Sequence, residues 1–203
     1  MNLSSITVVF GRFNPPTSGH ERLIRSAQRI ADGGQLRIYP SRKQDRDKNP
    51  LDPIQKIEYM RKIFPEHKDD IIDNENIKTI FDVLVAAYQQ GYSEVNIVVG
   101  SDRQEEFERI TAKYNGNLYA FNSLKVLSAG FRDPDIEGVN GISASKMRIA
   151  AANNDFSSFR IGMPSIASDQ YTRSIFDAVR EGMGLVDKPV TAQLEILSLE
   201  EQQ

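Results

Sequence analysis

The segment GRFNPPTSGH, residues 11–20, concentrates residue types suited to holding an anion: two glycines, two adjacent prolines, a threonine, a serine and a histidine. It follows the apolar run ITVVF. Gly11 lets the chain leave a strand tightly and come close to a ligand. Pro15 and Pro16 stiffen the loop and lower the entropy cost of holding it in place. Thr17, Ser18 and the amide of Gly19 stand at the start of the next helix, where free N–H groups and the helix dipole attract phosphate. His20 falls in that first turn and can donate a ring hydrogen bond. The plainer reading is a rigid turn with a capping histidine.

Two later junctions have a related character. VVGSD, residues 98–102, ends an apolar strand on Gly100, which leaves room for a nucleotide, with Asp102 able to hydrogen-bond nearby. Gly-Ser-Asp is equally a common turn and helix cap. ISASKMR, residues 142–148, opens a helix with Ser143 and Ser145, whose hydroxyls can cap it and meet phosphate oxygens. Lys146 offers a point charge there, and Arg148, one turn in, can hold phosphate oxygens bidentately. Taken alone, this too is a capped helix with surface cations.

Composition narrows the classes. The chain has 203 residues, enough for one sizeable core. A formal net charge of -3 gives no overall basic field for nucleic acid. The absence of cysteine removes disulfides, thiolate metal sites and cysteine nucleophiles, and two histidines leave little for a multi-histidine metal centre. No stretch is apolar for long enough to span a membrane, and the N-terminus has no basic n-region. A cytoplasmic protein is expected.

The elements that must position these junctions follow from periodicity. Strands are predicted at residues 5–10, 35–40, 94–99 and 124–131, with a further short strand in DIIDNENI, residues 70–77. Helices are predicted from His20 to Gly33-Gly34, from Pro53 (capped by Asp52) to Phe64, over TIFDVLVAAYQQGY, over RQEEFERITAKYN and from ISASKMR onward. FSSFRIGMP is expected to break that run, before a last helix capped by Ser168 or Asp169. Alternating strands and helices predict an α/β fold with a parallel sheet and helices on both faces. Ligands then bind at the C-terminal edge of the strands, where all three junctions lie. The tail VDKPVTAQLEILSLEEQQ is mixed and acidic, and reads as an arm, a partner-binding segment or a frayed end.

Together, TSGH and ISASKMR resemble the T/HxGH and ISxTxxR motifs of the nucleotidylyltransferase superfamily, and VVGSD resembles its nucleotide-lining strand end. The resemblance covers roughly residues 5–160, so a Rossmann-like domain is expected over 1–160 and a helix with a tail over 161–203. It implies a Rossmann-like fold and one reaction: a substrate phosphate attacks the α-phosphate of a nucleoside triphosphate, and pyrophosphate leaves. It implies that Thr17 and His20 contact nucleotide phosphates, with Arg148 and the hydroxyls of Ser143 and Ser145 on the β- and γ-phosphates. Gly11, Arg12, Phe13, Asn14, Gly19, Gly100, Asp102 and Lys146 would complete the nucleotide site. Mg2+ would arrive on the phosphates and not in a protein cage.

Thr17 stands where histidine is commoner, Ser145 where threonine is more usual, and Asn14 where many branches have aspartate. GRFNP and the later KNPLD are most similar to the nicotinamide-mononucleotide branch. The intervening loop carries Arg42, Lys43, Arg46 and Lys48; Arg42, Lys43 and Lys48 are candidates for the acceptor side, against a plain solvated loop. The implied partners are ATP or CTP and a small phosphorylated acceptor, with neither nucleic acid nor membrane. A homo-oligomer or a place in a larger assembly is compatible. A structural or binding protein on the same scaffold is the main alternative, and a class I tRNA-synthetase-like enzyme is a weaker one.

Overall fold

The computed structural model describes residues 5–130 and 143–185. The tail expected to act as an arm or a partner-binding segment lies outside them, as does Ile142 of ISASKMR. Four strands form one parallel sheet: β1 (Ser5–Gly11), β2 (Gln35–Pro40), β3 (Glu94–Val99) and β4 (Ser123–Ser128), in the order β2-β1-β3-β4. The chain moves outward from β1 to β2, then crosses back to place β3 on the other side of β1. That reversal opens a crevice beyond the ends of β1 and β3, the usual ligand position in such sheets.

Period-two alternation explains the two-sided burial. Val9, Val98, Leu36 and Ile38 turn to one face, and Ile6, Val8, Val95, Ile97 and Val99 to the other. The first face is covered by α1 (Ser18–Ala31), α2 (Pro53–Ile63), α5 (Ala144–Ala152), α6 (Phe156–Ile161) and α7 (Asp169–Gly182). The second is covered by α3 (Ile80–Gln89) and α4 (Gln104–Ala112). The fold is thus Rossmann-like, with helices on both faces. Ile175, Phe176 and Val179 of α7 enter the same core as α1 and α2. Among the described residues, no helix is long and apolar enough to cross a membrane.

Two expectations change. DIIDNENI contributes one parallel bridge, Ile38 to Ile71, and not a strand. The pairing is confined to Ile38, whose N–H reaches the Asp70 carbonyl and whose carbonyl accepts from the Ile72 N–H, while the side chains of Asp70 and Asp73 pair with Arg37 and Arg42. FSSFRIGMP is not a simple break. Asn154 takes a left-handed φ of 55° and ends the run from α5, and the Asp155 carboxylate accepts from the Ser158 N–H to start α6.

Candidate functional site

A cleft of about 590 Å³ opens at the crevice beyond β1 and β3, within the range of small-molecule and cofactor sites. All three junctions reach it. Its lining includes Gly11, Arg12, Phe13, Asn14, Gly19 and His20 from the first, Gly100 and Asp102 from the second, and Ser143, Ser145 and Arg148 from the third.

The first wall is locked from within. Thr17 caps α1: its Oγ1 accepts from the His20 N–H at 3.3 Å, and its own N–H donates to His20 Nδ1 at 3.1 Å. This reciprocal capping box puts histidine in the third helical position, where Glu or Gln is usual. Because Nδ1 accepts from a backbone N–H, the proton of the neutral ring sits on Nε2. The cap therefore fixes the tautomer that donates from Nε2.

Behind that ring lies Phe13, fully buried at a left-handed φ of 48°, its ring centroid 4.7 Å from that of His20. Such a backbone conformation costs a bulky residue of order 1–3 kcal/mol and persists where surrounding structure enforces it. A Cβ on Gly11 would stand 3.1 Å from Phe13 Cε2, closer than nearly all real contacts. Glycine at position 11 thus lets the Phe13 ring fold back beneath the cleft.

Asn14 is spent on structure. Its side-chain amide donates to the Leu51 carbonyl at 3.2 Å, and its Oδ1 accepts from the Leu51 N–H at 2.9 Å. An aspartate here would lose the first of these bonds. The Asn14 carbonyl accepts from the Arg148 guanidinium at 2.8 Å, which joins the two walls.

The second wall is built on α5. Ser143 caps the helix by accepting from the Lys146 N–H at 3.2 Å, and Ser145 Oγ accepts from Arg148 at 3.1 Å. Burial and the neighbouring Arg12 guanidinium both disfavour the charge of Arg148, with Asp45 opposing. Two cations therefore crowd one another, an arrangement that an incoming anion relieves.

Five sequence-predicted residues are not in the lining. Thr17 is fully buried behind His20, its hydroxyl used by the cap. Lys146 is an exposed helix residue whose backbone takes part in the α5 cap. Arg42 pairs with Asp73 and Lys43 with Asp45, while the loop holding Lys48 is tied down by Asp45, which accepts from the N–H groups of residues 47, 48 and 49. Those bonds hold the Asp45 carboxyl down at about 2.

Sequence reasoning missed Arg22, Arg103 and Phe107, which all line the cleft. Arg22 stands two residues beyond His20 and Arg103 immediately after Gly-Ser-Asp, so proximity to a motif was the available signal. The Arg103 guanidinium lies 4.9 Å above the Phe107 ring. Arg12, Arg22, Arg103 and Arg148 face the cleft, with Asp102 as the one carboxylate among the described residues of its lining. Among the described residues, no group of three His, Cys, Asp or Glu is placed to hold a metal ion. This donor set of guanidinium, amide and hydroxyl suits phosphate oxygens.

The model of the cytidylyltransferase-like family matches residues 8–163. No curated protein matches the chain in sequence. Among solved structures, a candidate nicotinate-nucleotide adenylyltransferase from Vibrio parahaemolyticus superposes with a TM-score of 0.54 at 14% identity, over 85% of this chain and 98% of that one. The nicotinic acid mononucleotide adenylyltransferase of Plasmodium falciparum, solved with NaAD, gives 0.50 at 15% identity, over 86% and 98%. At these identities the likeness is one of fold.

Proposed function

Since the chain belongs to the cytidylyltransferase-like family, we propose that it is a nucleotidylyltransferase that moves AMP from ATP to a small phosphorylated acceptor and releases pyrophosphate. The observation that carries this reading is the convergence of the His20 Nε2 donor, the α5 N-terminus and four arginines on one cleft. An acceptor phosphate oxygen attacks the α-phosphorus of Mg2+·ATP. The new bond joins that oxygen to the α-phosphorus, and the bond to the β-phosphate bridging oxygen breaks as pyrophosphate departs. The protein aligns two anions and neutralises the charge that gathers between them.

His20 Nε2–H donates to the phosphate oxygens nearest the reacting bond. Thr17 acts through the histidine by fixing its tautomer. Arg148, with the hydroxyls of Ser143 and Ser145, holds the β- and γ-phosphates that leave together. Arg12 and Arg22 add charge at the mouth, and Arg103 with Phe107 forms the side beyond β3. The magnesium ion is part of the substrate. Nicotinamide mononucleotide is the proposed acceptor, on the resemblance of GRFNP and KNPLD to that branch, and the superposed structures are named for the nicotinate counterpart.

A thermal-shift panel tests the binding half of this reading. ATP with magnesium should raise Tm more than CTP does, and nicotinamide mononucleotide should add a further rise, since binding to the native state stabilises it by mass action. No rise with any nucleoside triphosphate would remove the reading.

A further inference from the structure

Lys56 is the one lysine among the described residues that is wholly buried. It lies in the first turn of α2, beneath the ends of β1 and β2. Its ammonium donates to the carbonyl of Arg12 at 2.9 Å and to that of Ser41 at 2.5 Å. Those carbonyls belong to the residues that follow the last paired positions of the two strands, Gly11 and Pro40. The Ser41 N–H still reaches the Gly11 carbonyl at 2.7 Å. Past that bond the chains part: one becomes the wall that carries His20, the other the loop 41–51.

The position is unusual in physical terms. Lysine is almost never fully buried without partners, and its ammonium is costly to desolvate. Burial, reinforced by the nearby Arg42 charge and only partly offset by Asp52, brings its pKa down to about 8. Its neighbours on α2, Ile57 and Met60, are ordinary core residues. A methionine would fill the same volume without that cost, but it would take the ammonium donor from the part-buried Arg12 carbonyl and the buried Ser41 carbonyl.

We propose that Lys56 is a positioning residue: its ammonium clamps the Arg12 end of the nucleotide-side loop to the start of the loop 41–51 just beyond the strand ladder, and so sets where the wall that carries His20 stands against the bound substrates. The Asn14–Leu51 amide pair ties the same two loops further out, so Lys56 forms the inner of two cross-links. The kinetic consequence rests on the transfer reading above. It predicts that Lys56 governs alignment in the ternary complex more than affinity for either substrate, because no atom of Lys56 lines the cleft.

The test uses the full chain with Lys56→Met and Lys56→Arg, assayed for pyrophosphate release from Mg2+·ATP and nicotinamide mononucleotide. Lys56→Met should lower kcat by about tenfold to a hundredfold, the effect of a misplacement near 1 Å, while both KM values stay within about threefold. Lys56→Arg, which keeps a cationic donor, should recover part of that loss. In parallel, amide exchange without substrates should quicken about tenfold or more at Ser41 in Lys56→Met, with β3 and β4 unchanged. An unchanged kcat, an equal loss in KM and kcat, or a uniform rise in exchange through β3 and β4 would overturn the proposal. If the wild type itself releases no pyrophosphate, the transfer reading fails alone. The exchange arm then decides: local quickening at Ser41 upholds the clamp, and no change there refutes it.

Discussion

The two walls of the cleft are made differently. The wall that leads into α1 is an internal construction: Phe13, Asn14 and Thr17 are buried, and His20 belongs to the capping box. The wall of α5 is laid on the surface. Ser145 and Lys146 are exposed, and Arg148 reaches across to the Asn14 carbonyl. The first wall is preorganised at a cost in backbone strain and buried polar groups. The second offers the ligand the exposed Ser145 hydroxyl and the Arg148 guanidinium, which is held by Ser145 and by the Asn14 carbonyl. Damage to the first wall should therefore mix folding with chemistry, and damage to the second should read mainly as lost binding.

His20 gives the largest expected effect and the sharpest way to break this contrast. His20→Ala should lower kcat by about 10²–10³-fold, the usual loss for a transition-state donor, and destabilise by about 1 kcal/mol through the lost cap. His20→Glu should separate the two. Glutamate at this helical position restores the capping box, yet its carboxylate repels phosphate. Denaturant unfolding should show near wild-type stability, and turnover should be absent. Activity surviving in His20→Glu would mean that the histidine is only a cap.

Arg148→Ala should come next. It should raise the KM for ATP by about tenfold or more, consistent with loss of a charge-assisted contact, with unfolding little changed. A large loss of stability instead would move Arg148 to the internal wall, as the Asn14 brace.

Lys56 should give a smaller, pH-dependent signal. Its folded pKa of about 8 lies below the ordinary 10.5. Below pH 8 both folded and unfolded chains hold the proton, and the cost of burying the charge is fully present. Between about 8 and 10.5 the unfolded chain binds the proton that the folded one has released, so this group makes stability rise with pH. The rise should appear in wild type minus Lys56→Met unfolding curves. A flat difference would contradict it.

The smallest effects should come from the loop 41–51. Lys43→Ala and Lys48→Ala should each change kcat/KM by less than about threefold, as expected for exposed charges outside the cleft. A larger loss at either would place the acceptor phosphate against this loop.

The contrast also explains what could be read from the sequence. Strands, most helices and the shared edge were legible, because alternation in ITVVF and NIVV and stops such as Gly33-Gly34 are local signals. The glycines, His20 and Arg148 were legible because motif spacing placed them at strand ends. The division of labour was not. Thr17 and His20 stand only three positions apart, but histidine takes the place where a capping box usually has Glu or Gln; that Asn14 is consumed by Leu51 and that Lys56 lies under both loops depend on contacts between residues 37 and 44 positions apart. No local pattern encodes those. DIIDNENI misled because two adjacent isoleucines look like a strand, when Ile71 alone makes a bridge.

The central claim is nucleotidylyl transfer in the cleft, and pyrophosphate release tests it most directly. Folded wild-type chain with Mg2+·ATP and nicotinamide mononucleotide should release pyrophosphate in step with dinucleotide formation, and His20→Glu should release none. Folded wild-type protein that binds ATP yet yields no pyrophosphate with this acceptor or other small phosphorylated acceptors, from ATP or CTP, would contradict the account.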